Sequence, residues 1–104
     1  CSKEARITGS WKIAELTVSN ITLNLDDIDL NLTITFSQDG KMVSNYSLRG
    51  ISASNEYTYS IGKESLIIDE TELDYELNGK ILTIYGEGDL LGMDGNIEVV
   101  FHKI

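Results

Sequence analysis

The chain has 104 residues with one Cys, one His, one Trp and no Pro, and 17 Asp+Glu against 8 Lys+Arg leave a formal net charge of −9. That length supports one domain with one core, and single copies of Cys and His exclude an intrachain disulfide and a His/Cys zinc site. The acidic balance argues against a nucleic-acid footprint, and no apolar run approaches the roughly 20 residues of a membrane-spanning helix.

Cys1 to Ile7 has the composition of a tether rather than of a packed helix, so the domain is expected over 8–104. Gly9 to Leu16 opens the fold as a strand. Ile21 to Leu25 alternates apolar and polar. It is either a strand closed by an Asp26-Asp27 turn or an irregular excursion into a strand from Ile28. Leu30 to Phe36 alternates without exception, which puts Leu30, Leu32, Ile34 and Phe36 on one face of a half-buried strand. A three-residue turn, Gln38-Asp39-Gly40 with Gly40 left-handed, pairs Phe36 with Met42, Leu32 with Tyr46 and Leu30 with Leu48. A two-residue turn would mismatch apolar with polar, so the longer turn is expected.

Two further hairpins follow. Tyr57 to Ile61 runs into Gly62-Lys63, a Gly-first pair suited to a type II′ turn that opposes Tyr59 to Leu66 and Tyr57 to Ile68. Leu73 to Leu77 runs into Asn78-Gly79, which opposes Tyr75 to Leu82 and Leu73 to Ile84. Four glycines between Gly86 and Gly95 read as bulges and a loop. Ile97 to Phe101 closes the chain. A meander of seven to nine short strands must hide its edges by closing into a barrel or folding as a sandwich.

Catalytic constellations are sparse. Cys1 and His102 stand at opposite ends of the sequence with no third orienting group, and His102 falls opposite Phe101 on the solvent face of the last strand. Asp74 and Glu76 lie on the face opposite Leu73, Tyr75 and Leu77, as a solvated face does. Asp89 to Asn96 offers oxygen donors without the ligand rhythm of a calcium loop, and Asp26-Asp27-Ile28-Asp29 is at most a weak ion site. Gly86-Glu87-Gly88 precedes no helix and makes no phosphate cradle. The large side chains are the main binding resource. Phe36, Met42, Tyr46, Tyr59, Tyr75 and Phe101 are expected to face inward and line any ligand space, whereas Tyr85 falls on the outer face.

Gly9-Ser10-Trp11, the turn Ser37-Gln38-Asp39-Gly40-Lys41, Tyr59-Ser60-Ile61, Leu77-Asn78-Gly79-Lys80 and the ending Val99-Val100-Phe101-His102-Lys103 together resemble the small lipocalin-like domains of bacterial lipoproteins. The resemblance implies an all-β, antiparallel up-and-down barrel of about eight strands. Trp11 would close one end, with Lys103 across its ring where the family usually has Arg. Cys1-Ser2-Lys3-Glu4 resembles the start of a mature lipoprotein whose cysteine is lipidated. It implies membrane attachment through Cys1 at the cell envelope, outer membrane or periplasm. The function so implied is non-catalytic and needs no cofactor: binding of a small apolar ligand or of an envelope protein partner. The alternative is a solid structural module, such as a META-domain envelope protein, with no cavity.

Overall fold

Alternation of apolar and polar residues recurs in one stretch of chain after another, and each stretch forms a strand. The computed structural model describes residues 7–62, 65–86 and 96–104. Its strands are β1 (Gly9–Val18), β2 (Ile21–Leu23), β3 (Leu30–Phe36), β4 (Lys41–Leu48), β5 (Ile51–Ile61), β6 (Ser65–Ile68), β7 (Thr71–Asn78), β8 (Ile81–Gly86) and β9 (Ile97–Lys103). One short helix, α1 (Leu25–Ile28), lies between β2 and β3. All neighbours are antiparallel, in the order β2-β1-β3-β4-β5-β6-β7-β8-β9, and β9 returns to pair with β1. The result is a closed eight-strand barrel with β2 as an extra strand. The expectations for Cys1 to Arg6, for the glycine-rich loop across 87–95 and for the Asp89–Asn96 donors fall largely outside the described residues.

β1 is paired on both edges. One edge takes β3, from Gly9↔Phe36 to Lys12↔Thr33, and further along takes β2, from Leu16↔Leu23 to Val18↔Ile21. β2 and β3 therefore follow one another along the same edge, and the segment from Asn24 to Asp29 is looped out between them. Asn24 caps α1 by accepting from the N–H of Asp26 at 2.9 Å and of Asp27 at 3.4 Å. Asp29 ends the helix at φ 52, a left-handed position that Asp tolerates. The strand thus stops at Leu23, and Asp26-Asp27 begins a helical turn rather than reversing a hairpin. On the other edge β1 pairs with β9 from Trp11↔Lys103 to Val18↔Ile97, with a bulge between Ile13 and Glu15. The bulge leaves Ala14 and Glu15 both exposed, so Leu16 returns to the interior after Trp11 and Ile13.

The β3–β4 hairpin has the expected register, with Phe36↔Met42, Leu32↔Tyr46 and Leu30↔Leu48. Gly40 has φ 84, and the Ser37 N–H donates to Lys41 O at 2.9 Å. The next two turns differ from expectation. Tyr59 opposes Ile68 rather than Leu66, because Gly62 is itself paired, its N–H donating to Ser65 O at 2.8 Å. Tyr75 opposes Ile84 and Leu77 opposes Leu82, because Asn78 pairs with Ile81 and Gly79 takes the first central turn position at φ 64. A Gly there suits a type II′ turn. In both cases the partner moves by two residues, so every side chain keeps its face. β5 also begins at Ile51, six residues before the expected Tyr57, through a two-residue turn of Arg49 (φ 52) and Gly50 (φ 84).

The inward faces meet in one core. Trp11, Phe36, Ile7, Leu16, Leu66 and Leu82 are each under 2% exposed, and no polar side chain is buried among the described residues. Ile7 is core rather than tether, because it packs where the Trp11 indole needs a backbone acceptor. Neighbouring residues on β8 test this facing: Leu82 is fully buried and Ile81 is 44% exposed. Leu82→Ala is expected to cost about 2–5 kcal/mol in urea unfolding, and Ile81→Ala well under half of that.

Candidate functional site

The two ends of the barrel are built differently. At the end holding the start of β1 and the finish of β9, the Trp11 indole is fully buried and its Nε1–H donates to Ile7 O at 2.8 Å. The Lys103 ammonium lies 4.8 Å from the ring centroid and donates to Thr8 O at 2.5 Å. Gly9 makes room for this arrangement. It has φ +127, and a Cβ there would collide with the Lys103 ammonium. The Gly-x-Trp spacing thus acquires a local reason: the glycine lets the lysine stem pass over the backbone to reach the indole. Around this plug pack Phe36 and Tyr59, edge to face with ring centroids 4.8 Å apart, and Met42, Leu66, Leu82 and Phe101. The Tyr59 hydroxyl donates to Ser37 O at 2.6 Å, which fixes its ring against the turn.

Four of the six residues expected to line a ligand space, Phe36, Met42, Tyr59 and Phe101, therefore fill the sealed half. Tyr75 lies further along, half-buried and packed on the same core. Tyr46 stands in register with Leu32 yet is 37% exposed, because the far part of the β4–β5 hairpin rises above its neighbours.

That rise defines the opposite end, the mouth. β5 pairs with β6 only over Tyr59–Ile61, so the rim steps down from the tip of the β4–β5 hairpin to the β6–β7 turn. Inward-facing Leu48 and Ile51 near the tip are 41% and 72% exposed, and Val18, Leu25, Leu30 and Ile68 are half-buried against the core. A half-open hollow of about 590 Å³ notches the rim where β7, β8, β9 and β1 end, touching Leu73, Ile97, Thr71 and Tyr85. The sequence gives no simple signal for these residues, because their exposure depends on how far each strand reaches.

Charge is also divided between the ends. Lys12, Lys41, Lys80 and Lys103 sit on the strand ends and turns of the sealed half, together with Asp39 and with Glu56, which pairs with Lys41 at 3.6 Å, while Asp26, Asp27, Asp29, Asp69, Glu70 and Glu72 lie around the mouth. Arg49, in the β4–β5 turn, is the cation of the mouth among the described residues. On the outer wall below the rim, Tyr85 lies between Asp74 of β7 and Glu98 of β9, and its hydroxyl donates to Glu76 Oε2 at 3.2 Å. Desolvation, then the carboxylates of Glu76 and Glu98, raise its pKa above the ordinary tyrosine value. His102 is exposed on the outer face of β9.

A family model described as a lipocalin-like domain matches residues 7–100. No curated protein sequence matches the chain. Among solved structures, the fatty-acid-binding protein 1 of Echinococcus granulosus is similar, at 8% identity over 96% of this chain and 98% of that one, with a TM-score of 0.59. The shared feature is the fold.

Two expectations test this geometry. Lys103→Met removes the cation from the indole face and should cost about 0.5–2 kcal/mol in chemical unfolding, with a shift in Trp11 fluorescence. Tyr85 should ionise above the ordinary tyrosine range in an alkaline absorbance titration, with Tyr85→Phe identifying its share of the signal. Its raised pKa means the folded state holds the proton more tightly than the unfolded chain. The associated stability is complete below the ordinary tyrosine value of about 10 and is lost as pH rises through the folded pKa. Glu76→Gln should lower that pKa.

Proposed function

The chain belongs to the lipocalin-like domain family, and we propose that it is a non-catalytic binding protein which takes a small apolar molecule, neutral or cationic, at the barrel mouth. The observation that carries this reading is the asymmetry of the barrel. One end is plugged by a buried indole, while inward-facing apolar side chains at the other remain partly open to solvent. Covering about 200 Å² of such surface is worth about 5 kcal/mol at ~25 cal/mol per Å², against which the cost of association is set. Binding at the rim also leaves the packed half of the core undisturbed.

The charge around the mouth selects among apolar ligands. Fatty acid is in the name of the Echinococcus granulosus protein, but an anionic headgroup at this mouth would meet a rim whose turns and cap carry Asp26, Asp27, Asp29, Asp69 and Glu70 against one cation among the described residues, Arg49. Each carboxylate about 6 Å from such a headgroup costs roughly 0.7 kcal/mol even at the dielectric constant of water, so a few amount to a tenfold loss or more. A neutral or cationic headgroup avoids this penalty. The same reading places the barrel at the cell envelope, held to the membrane by a lipid on Cys1. Its support is the resemblance of the Cys1-Ser2-Lys3-Glu4 stretch to the start of a mature lipoprotein. An envelope protein is the competing occupant of the mouth.

Fluorescence titration with three apolar probes of one scaffold, bearing neutral, cationic and carboxylate headgroups, tests the ligand class. The neutral and cationic probes should saturate at least tenfold more tightly than the anionic one, and Leu48→Asn should weaken both with the fold intact by circular dichroism. Equal or tighter binding of the anionic probe would contradict the proposed headgroup preference, and no saturable binding of any probe would contradict the proposal and favour the solid module. Metabolic labelling with a fatty-acid analogue should mark the chain and disappear in Cys1→Ala; label that persists would refute the anchor.

A further inference from the structure

β5 pairs with β4 from Ile51 to Thr58, but with β6 only from Tyr59 to Ile61. The β6 ladder ends at Asp69, whose N–H donates to Thr58 O at 2.8 Å and whose Oδ1 accepts the Thr58 N–H at 3.0 Å. Before Thr58, the direction of each backbone group follows from the turn. Arg49 and Gly50 form a two-residue hairpin turn, so Leu48 and Ile51 are a hydrogen-bonded pair. The alternation that follows points the N–H and C=O of Ile51, Ala53, Asn55 and Tyr57 toward β4, and those of Ser52, Ser54 and Glu56 away from it. Thr58 is next in the outward series, and its bonds to Asp69 agree with this. Among the described residues no strand lies beside Ser52, Ser54 and Glu56 on their outward side.

Proteins usually protect such an edge with lysine, proline, a bulge or an inward-pointing charge. Here the stretch from Met42 to Asn55 contains one charged residue, Arg49, and no proline. Since the whole chain is −9 and this stretch is +1, the remainder carries −10. The hairpin is thus a place where two copies meet without the repulsion that opposes contact elsewhere on the acidic surface.

We propose that this edge pairs with the same edge of a second copy, antiparallel about a two-fold axis through Ala53. Ser52 of each copy then exchanges both backbone bonds with Ser54 of the other. Glu56 falls opposite Gly50, and Arg49 of one copy is delivered beside Glu56 and Asp69 of the other, which supplies charge complementarity. The register centred on Ser54 is excluded, because it would place Gly50 of the second copy against Thr58, where Asp69 already sits. The chosen register also sets Ile51, 72% exposed in the single chain, beside Asn55 and diagonal to Tyr57 of its partner copy. The pairing uses the outward backbone groups of β5 and holds whether or not the mouth takes a ligand.

The test uses the full chain with Cys1→Ser, so that Cys1 plays no part. Sedimentation velocity over a concentration series should show a reversible monomer–dimer equilibrium. Ser54→Pro, which removes an outward N–H and leaves the β4 ladder complete, should raise the dissociation constant at least tenfold, and Arg49→Glu should weaken the dimer in the same direction. Ala53→Cys should form a disulfide-linked dimer on mild oxidation. In a non-hydrogen-bonded antiparallel pair the two Cα atoms stand about 4.5 Å apart, within disulfide reach. Ser60→Cys, on a part of β5 already covered by β6, should not. A chain that stays monomeric at every concentration, a dimer indifferent to Ser54→Pro, or cross-linking at Ser60 as fast as at Ala53 would each overturn the proposal.

Discussion

β1 carries ladders on both of its edges, with β3 and then β2 along one and β9 along the other. Closure of the sheet rests on this double pairing, and the double pairing constrains β1 closely. Trp11, Ile13 and Leu16 must all point inward although they are not evenly spaced, and the bulge at Ala14 is what permits it. The insertion on the β2–β3 side is absorbed by α1, capped by Asn24 and ended by Asp29. Once β1 is held on both sides, the barrel has no free edge along its lower part, and the inward faces form a continuous core.

The plug at the start of β1 sets what the rest of the interior can do. Gly9, Trp11 and Lys103 act together, since the glycine clears the path for the lysine and the lysine covers the indole. Phe36, Tyr59, Leu66 and Leu82 pack beneath them. Partly open apolar surface is thereby confined to the far end, where strands finish at unequal heights and leave Leu48, Ile51 and Tyr46 partly uncovered. The same inequality of strand length that opens the mouth also exposes the backbone of β5. Mouth and edge are two consequences of one long hairpin beside one short strand.

The barrel itself was legible from the sequence because a period of two fixes faces. Leu30, Leu32, Ile34 and Phe36 read as inward, and Asp74 and Glu76 as outward, and the structure agrees. The turn at Gly40 was legible too, since an alternative register there would have matched Ile34 with Asn45. The turns at Gly62 and Gly79 were not, because moving the partner by two residues keeps apolar against apolar and alternation is blind to it. Ile7 was missed for a different reason: its side chain joins the core where its carbonyl accepts the Trp11 indole N–H, a tertiary fit that no local pattern announces. Phe36, Met42 and Phe101 are buried, yet facing inward does not say which end of the barrel a residue occupies. That depends on pairing offsets between distant strands, and so Phe36 and Phe101 fall in the plug while Leu48 and Ile51 fall at the rim.

An amide chemical-shift titration with a neutral apolar probe examines the division between sealed end and open mouth most directly. The account predicts saturable shifts at Leu30, Leu48, Ile51, Ile68 and Leu73, with the Trp11 indole N–H and the amides of Phe36 and Phe101 unmoved. Shifts centred on the Trp11 end, or spread evenly along the barrel, would contradict it.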